Sequence, residues 1–157
     1  MNYDYGMFED GVGSIVESIK LNNEKFDCVV GIARGGAIAA VRLSHMLDIP
    51  CKFLTWQTRE HDLNQDRSTA QSIATSIMIY RKKYLIVDDI CDSGKTFKDL
   101  FIFWSSIISP DMFNNIKTCT LVFNEAQDLK IDYTDLIIDR NEYPDWINFW
   151  WEKKDVL

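Results

Sequence analysis

The chain has 157 residues, of which 46% are hydrophobic and 26% are charged; this composition is typical of one globular domain and excludes disordered and collagen-like chains. Its 17 basic and 24 acidic residues give a net charge of −7, which disfavours binding to nucleic acid and to anionic membrane surfaces. The first ten residues lack the apolar core of a signal peptide, and no uncharged stretch is long enough to span a bilayer. We therefore expect a cytoplasmic protein.

The first half of the chain alternates between helical and strand-like apolar segments. Val12, Ile15 and Ile19 recur at helical spacing and predict an amphipathic helix over about 9–22. The next predicted elements are a buried strand at 28–32, a helix at 37–47 and a strand at 51–56. A polar segment then covers Gln57–Gln71, and loops of this length in a compact domain are usually mobile or functional.

The second half of the chain predicts further strands and one helix. The alternation through Ile73, Ile77 and Ile79 predicts a strand. The other predicted elements are strands at 84–87, 118–123 and 136–138 and a helix at 96–108. This order, with continuously apolar strands, predicts an α/β fold whose mostly parallel sheet is covered on both faces. Ligands bind such sheets at the carboxyl ends of the strands.

Two predicted strand ends carry polar residues suited to binding a phosphorylated ligand. One reads Ala33-Arg34-Gly35-Gly36, and the other runs from Asp88 to Thr96. In the second, adjacent carboxylates suited to a diol or a hard cation precede a small-residue loop and a helix N-terminus suited to a phosphate. The P-loop motif does not fit, because it requires a glycine where the chain has Asp89.

Tyr84–Thr96 resembles the signature with which type I phosphoribosyltransferases bind 5-phosphoribosyl 1-pyrophosphate (PRPP). Gly31–Gly36 resembles the pyrophosphate loop of that family, and Tyr143–Glu152 resembles the end of the xanthine-guanine and hypoxanthine enzymes. The resemblance implies a single domain over 1–157 with the type I fold. That fold has a mostly parallel central sheet, flanking helices and a small C-terminal hood, here at about 124–157.

The resemblance also implies an activity, a cofactor and a set of site residues. The expected activity transfers ribose 5-phosphate from PRPP to a nucleobase, most simply a purine, with Mg²⁺ as cofactor, in base salvage. Asp88 and Asp89 match the acids that hold the ribose hydroxyls and the metal, and Asp92 matches the acid near the base; all three are candidate catalytic residues. The candidate 5-phosphate cradle is Asp92, Ser93, Gly94, Lys95 and Thr96, and the candidate pyrophosphate residues are Arg34, Gly35 and Arg67, with Arg59 as the alternative to Arg67.

The expected base site departs from the family pattern. Trp146, Ile147 and Glu125 are the candidate base-binding residues. The purine enzymes place a lysine donor after the strand that matches 118–123, where this chain has Asn124 and Glu125, and the nearest lysine is Lys130. An ionised carboxylate cannot donate to a carbonyl group. Three alternatives remain: Asn124 is the donor, the base carries an amino group there, or base recognition has changed.

Two other functions compete with catalysis on the sequence alone. One is a PRPP- or nucleotide-binding regulator, and the other is a PRPP-binding homologue whose acceptor site has altered. The family resemblance further implies a homodimer or homotetramer.

Overall fold

A computed structural model describes residues 1–58 and 65–152 of the chain. The strands are β1 (Asn2–Tyr3), β2 (Cys28–Ala33), β3 (Cys51–Thr55), β4 (Tyr84–Cys91), β5 (Ile116–Asn124), β6 (Tyr133–Ile138) and β7 (Asn148–Phe149). The α-helices are α1 (Tyr5–Leu21), α2 (Gly35–Leu47), α3 (Arg67–Tyr80) and α4 (Lys95–Ser105), and 3₁₀ helices cover Pro110–Asn115 and Trp150–Glu152.

The central sheet has five parallel strands in the order β3-β2-β4-β5-β6. The chain runs from β2 to β3 on one side and then continues with β4 on the other side of β2, so the strand order reverses between β2 and β4. Loops diverge at such a point and leave a crevice outside the carboxyl ends of the two strands. The predicted α/β fold with a parallel sheet is confirmed, and sheets of this kind commonly bind ligands at such a crevice.

Apolar side chains cover both faces of the sheet, as the continuously apolar strands predict. Val29 and Val87 pack in one core with α1 and α2, whereas Val30 and Ile86 pack in a second core with α3 and α4. Successive residues of a strand point to opposite faces, so strands buried on both sides have no polar alternation. The sheet is therefore a rigid support for the loops at its carboxyl edge.

One predicted strand is wrong, because the segment containing Ile73 and Ile77 belongs to helix α3. Its buried positions are Ala70, Ile73, Ala74 and Ile77, which have helical spacing, whereas Ile79 is exposed. Asp66 caps the helix by accepting a hydrogen bond from the Thr69 backbone at 3.0 Å. The predicted polar loop therefore ends at residue 66 and not at 71.

A second small sheet, absent from the sequence predictions, joins the two ends of the chain. Strands β1 and β7 pair in parallel, with Tyr3 opposite Phe149. The Tyr3 hydroxyl is buried and donates to Asp135 Oδ2 at 2.8 Å. This pairing fixes residues 139–152, called here the C-terminal segment, beside the carboxyl edge of the central sheet. No helix in the described ranges is both long and apolar enough to cross a membrane.

Candidate active site

A cleft of about 1330 Å³ opens at the carboxyl ends of β2 and β4. Its walls come from the loop after β2, the end of β4, the loop before α4 and the C-terminal segment. This volume exceeds the usual range of a pocket for one small ligand. The cleft can therefore hold two reactants side by side.

The loop after β2, which runs into the first residues of α2, approaches β4 closely because Gly35 and Gly36 carry no side chain. A Cβ atom added to Gly35 would lie 2.1 Å from Asp89 Oδ2, and one added to Gly36 would lie 2.3 Å from the Val87 carbonyl oxygen. The Ala33–Arg34 peptide bond is cis, and Arg34 is exposed and lines the cleft. Backbone groups of this loop thus lie directly beside the two acids of β4.

Asp88 and Asp89, at the end of β4, form the acidic floor of the cleft. Asp88 Oδ1 accepts from the Asp89 backbone at 3.0 Å, and Asp89 Oδ1 accepts from the Ile90 backbone at 2.8 Å. Burial raises the pKa of Asp88 well above its ordinary value, and the charge of Asp89 raises it further. Burial also raises the pKa of Asp89, and the charge of Glu152 adds to this rise. Within residues 1–58 and 65–152, no lysine or arginine pairs with either carboxyl group, so a bound cation or hydroxyl donors would relieve the repulsion.

The loop between β4 and α4 presents a helix N-terminus to the cleft. Gly94 has a φ of 72°, and a Cβ there would lie 2.6 Å from Gln127 Oε1, so a side chain at this position would be both strained and crowded. Helix α4 begins at Lys95, whose backbone N–H donates to Ser93 Oγ at 3.4 Å. The unpaired N–H groups of the first turn and the helix dipole suit an anionic group.

The C-terminal segment forms another wall of the cleft. Trp146 and Ile147 both line the cleft; Trp146 is 61% exposed, whereas Ile147 is buried. Trp151 also lines it and stacks on Phe149, with ring centroids 4.7 Å apart. An apolar wall with an open aromatic face suits a flat heterocycle.

Arg140 also lines the cleft, and the sequence reasoning missed it. It follows β6, and its Nε donates to Asp92 Oδ1 at 2.9 Å. Its Nη1 donates to the carbonyl oxygens of Tyr143 and Asp145. Arg140, near the start of the C-terminal segment, therefore links the rest of that segment to the loop before α4. Its position just after a predicted strand is the signal that could have revealed it, since ligands collect at strand carboxyl ends.

Asn124 connects three of these loops and is not free to contact a ligand. It is 7% exposed, and its Nδ2 donates to the Asp92 carbonyl oxygen at 3.0 Å. Its Oδ1 accepts from the backbone N–H groups of Ala126 and Arg140. The side-chain amide thus holds the ends of β4, β5 and β6 together.

The structure brings most of the predicted site residues into one cleft but leaves two of them outside it. Glu125 is exposed in the turn after β5 and does not line the cleft. Arg67 is exposed at the start of α3, with its guanidinium 5.7 Å from the centroid of the Phe103 ring, and it does not line the cleft either. Arg59, the alternative to Arg67, lies outside the described residues.

Comparisons with known proteins agree with this geometry. The sequence profile of the phosphoribosyl transferase domain matches residues 3–155. The chain is 25% identical to a purine phosphoribosyltransferase from Pyrococcus horikoshii, with a TM-score of 0.67 over 100% of this chain and 96% of that one.

Two further solved structures share the fold at 18% identity. One is a xanthine-guanine-hypoxanthine phosphoribosyltransferase from Helicobacter pylori, with a TM-score of 0.64 over 96% of this chain and 92% of that one. The other is a protein from Neisseria gonorrhoeae with bound ppGpp, with a TM-score of 0.63 over 98% of this chain and 89% of that one. No curated protein matches the chain. Because the domain profile covers nearly the whole chain and the fold agrees, the chain belongs to the phosphoribosyl transferase family and is a phosphoribosyltransferase.

Proposed function

We propose that the protein transfers ribose 5-phosphate from PRPP to a purine base, releasing pyrophosphate and a nucleoside 5′-monophosphate. The observation that carries this proposal is the meeting of Asp88 and Asp89 with the glycine loop after β2 and the N-terminus of α4 in one cleft. Within the proposal, the enzyme acts in base salvage in the cytoplasm as a homodimer or homotetramer.

Each wall of the cleft suits one part of PRPP. The N–H groups at the start of α4, with Ser93 and Thr96, would bind the 5-phosphate. The ribose hydroxyls would donate to Asp88 and Asp89, whose carboxyl groups otherwise repel each other. Arg34 and the backbone at Gly35 would contact the pyrophosphate from the opposite side. This arrangement would place the reacting carbon of the ribose between the acids and the C-terminal segment.

The acids of the cleft fit a magnesium ion. Carboxylate oxygens are its preferred protein ligands, and Asp88 and Asp89 supply them, with Glu152 also lining the cleft. The described residues contain no group of three acidic, histidine or cysteine side chains that could hold a metal by themselves. Magnesium bound with phosphates takes only one or two carboxylates, so PRPP oxygens would complete its coordination. The ion would offset negative charge on the leaving pyrophosphate.

Asp92 would accept a proton from the base. It lines the cleft with its carboxyl group 43% exposed, next to the C-terminal segment. As N9 of a purine bonds to C1 of the ribose, the bond from C1 to the pyrophosphate oxygen breaks and the N7 proton passes to the Asp92 carboxylate. The protein otherwise contributes positioning and charge, since both reactants must meet in one orientation.

The proposed function is tested by measuring pyrophosphate release from PRPP in the presence of Mg²⁺ and one of four bases: guanine, xanthine, hypoxanthine or adenine. Replacing both acids, Asp88→Asn with Asp89→Asn, should lower kcat/KM more than about 100-fold, because removing one such electrostatic contact costs about this much. Asp10→Asn, an exposed acid on α1, serves as the matched control and should leave the rate unchanged.

Two results would count against the proposal. If the double variant kept an activity within tenfold of the parent, the two acids would not be needed for the reaction. Binding of PRPP without pyrophosphate release for any base would instead indicate the regulator or the homologue with an altered acceptor site.

A further inference from the structure

We propose that Arg140 determines which base is bound, by donating a hydrogen bond to the 6-carbonyl oxygen of a purine whose N7–H faces Asp92. This inference rests on the proposed function, because it concerns the base that the enzyme accepts. It assigns specificity to a residue of the loop after β6 and not to the turn after β5.

The hydrogen bonds of Arg140 leave one donor for a ligand. An arginine has five N–H groups. Nε and Nη2 donate to the two oxygens of Asp92 at 2.9 and 3.4 Å, and both N–H groups of Nη1 are taken by the carbonyl oxygens of Tyr143 and Asp145. The second N–H of Nη2 has no acceptor in the part of the chain that the structure describes. The Arg140 side chain is 18% exposed and lines the cleft, so this donor is available to a ligand there.

The other candidate donors do not compete for this position. The amide of Asn124 is saturated by backbone groups and Asp92. Lys130 is exposed and, like Glu125, does not line the cleft. The other cations that line the described part of the cleft are Arg34, in the loop after β2, and Lys95, in the first turn of α4. Within the described part of the chain, Arg140 alone among the three hydrogen-bonds to the stretch just before Trp146, through the carbonyl oxygens of Tyr143 and Asp145.

Asp92 and Arg140 together present an acceptor beside a donor. Their ion pair fixes the two groups side by side, with Arg140 Nε 2.9 Å from Asp92 Oδ1. A 6-oxopurine with a proton on N7 carries the complementary edge, an N–H beside a carbonyl oxygen. Adenine carries an amino group at the same position, which would face the Arg140 N–H and leave two donors unpaired. Unpaired buried polar groups make such sites strongly selective.

The test measures binding of two free bases, hypoxanthine and adenine, by calorimetry, because a free base can carry the N7 proton that faces Asp92 whereas its nucleotide cannot. We expect the parent to bind hypoxanthine at least about tenfold more tightly than adenine, and Arg140→Met to reduce this ratio to below about threefold. Arg140→Lys keeps a cationic donor and should retain a larger ratio than Arg140→Met. Arg42→Met is the matched control, because Arg42 pairs bidentately with Glu9 between α2 and α1, away from the cleft.

The outcomes separate this inference from the proposed function. An unchanged ratio in Arg140→Met, a parent that prefers adenine, or a parent that binds neither base would overturn the assignment of Arg140. A cooperative thermal unfolding transition in Arg140→Met shows that the variant is folded. A ratio that depends on Arg140, in a parent that releases no pyrophosphate with any base, would support the assignment and refute the proposed catalysis.

Discussion

At the residue scale, the acids of β4 are placed for ligand binding at a cost to the stability of the ligand-free fold. Asp88 and Asp89 are adjacent, half-buried and without a cationic partner in the described part of the chain. A carboxyl group whose pKa is raised in the folded state prefers to stay protonated there. Residues that oppose stability in this way commonly mark functional sites.

The pH dependence of stability tests this cost at Asp88. The pKa of Asp88 is raised in the folded protein. Below its ordinary pKa the group is protonated in both the folded and the unfolded state, so it does not lower the free energy of unfolding. As the pH rises through the interval up to the folded pKa, the unfolded state releases its proton more readily and the folded state loses stability. Asp88→Asn should therefore raise the Tm of the ligand-free protein by at least about 2 °C at pH 8 and by less at pH 4. A Tm that falls in the variant at pH 8 would contradict this interpretation.

At the element scale, the loop after β2 shows two glycines with different tasks. Gly35 faces a movable side chain, the Asp89 carboxyl, whereas Gly36 faces fixed backbone, the Val87 carbonyl oxygen in the middle of β4. A clash with a side chain displaces that side chain, but a clash with a central strand displaces the element. The first glycine therefore serves the site, and the second serves the packing of α2 on the sheet.

Alanine substitutions should separate these two roles. Gly35→Ala should lower kcat/KM about 100-fold, because it moves an active-site acid, with little change in Tm. Gly36→Ala should destabilise the fold by about 1–3 kcal/mol in chemical denaturation. Gly13→Ala is the matched control, since a Cβ on Gly13 in α1 meets no atom within 4 Å and should stabilise slightly. Equal losses of stability in the Gly35 and Gly36 variants would contradict the distinction.

Some helices and strands could be predicted from the sequence, and others could not. The runs 28–32 of β2 and 84–87 of β4 are continuously apolar, so each predicts a buried strand with few alternatives. Helix α3 is the exception, because its isoleucines alternate by coincidence while small alanines occupy half of its buried stripe. The two-residue strands β1 and β7 carry too little pattern to be found without their long-range pairing. Arg140 was not predicted as a site residue for a similar reason, since its role depends on contacts with Asp92, 48 residues earlier in the chain.

At the scale of the whole molecule, the cleft depends on parts of the chain that are far apart in sequence. The loop after β2, the acids of β4, the start of α4 and the C-terminal segment all line it. The C-terminal segment in turn depends on β1, because the Asn148 backbone donates to the Met1 carbonyl oxygen at 2.9 Å. No local segment can form this site alone, so a ligand that contacts all of these parts binds only the folded state.

Ligand binding should consequently stabilise the entire fold. PRPP with Mg²⁺ at 100 times its dissociation constant should add about 2.7 kcal/mol to the free energy of unfolding, which for a chain of this size raises Tm by about 5–10 °C. The shift should be much smaller in the Asp88→Asn, Asp89→Asn double variant, where the carboxylates that accept from the ribose hydroxyls are gone. Inorganic phosphate with Mg²⁺ is the control, since it can occupy only one wall of the cleft. If saturating PRPP and Mg²⁺ left the Tm of the folded parent unchanged, neither a PRPP-dependent enzyme nor a PRPP-binding regulator would be tenable, because both require this ligand to contact the folded cleft.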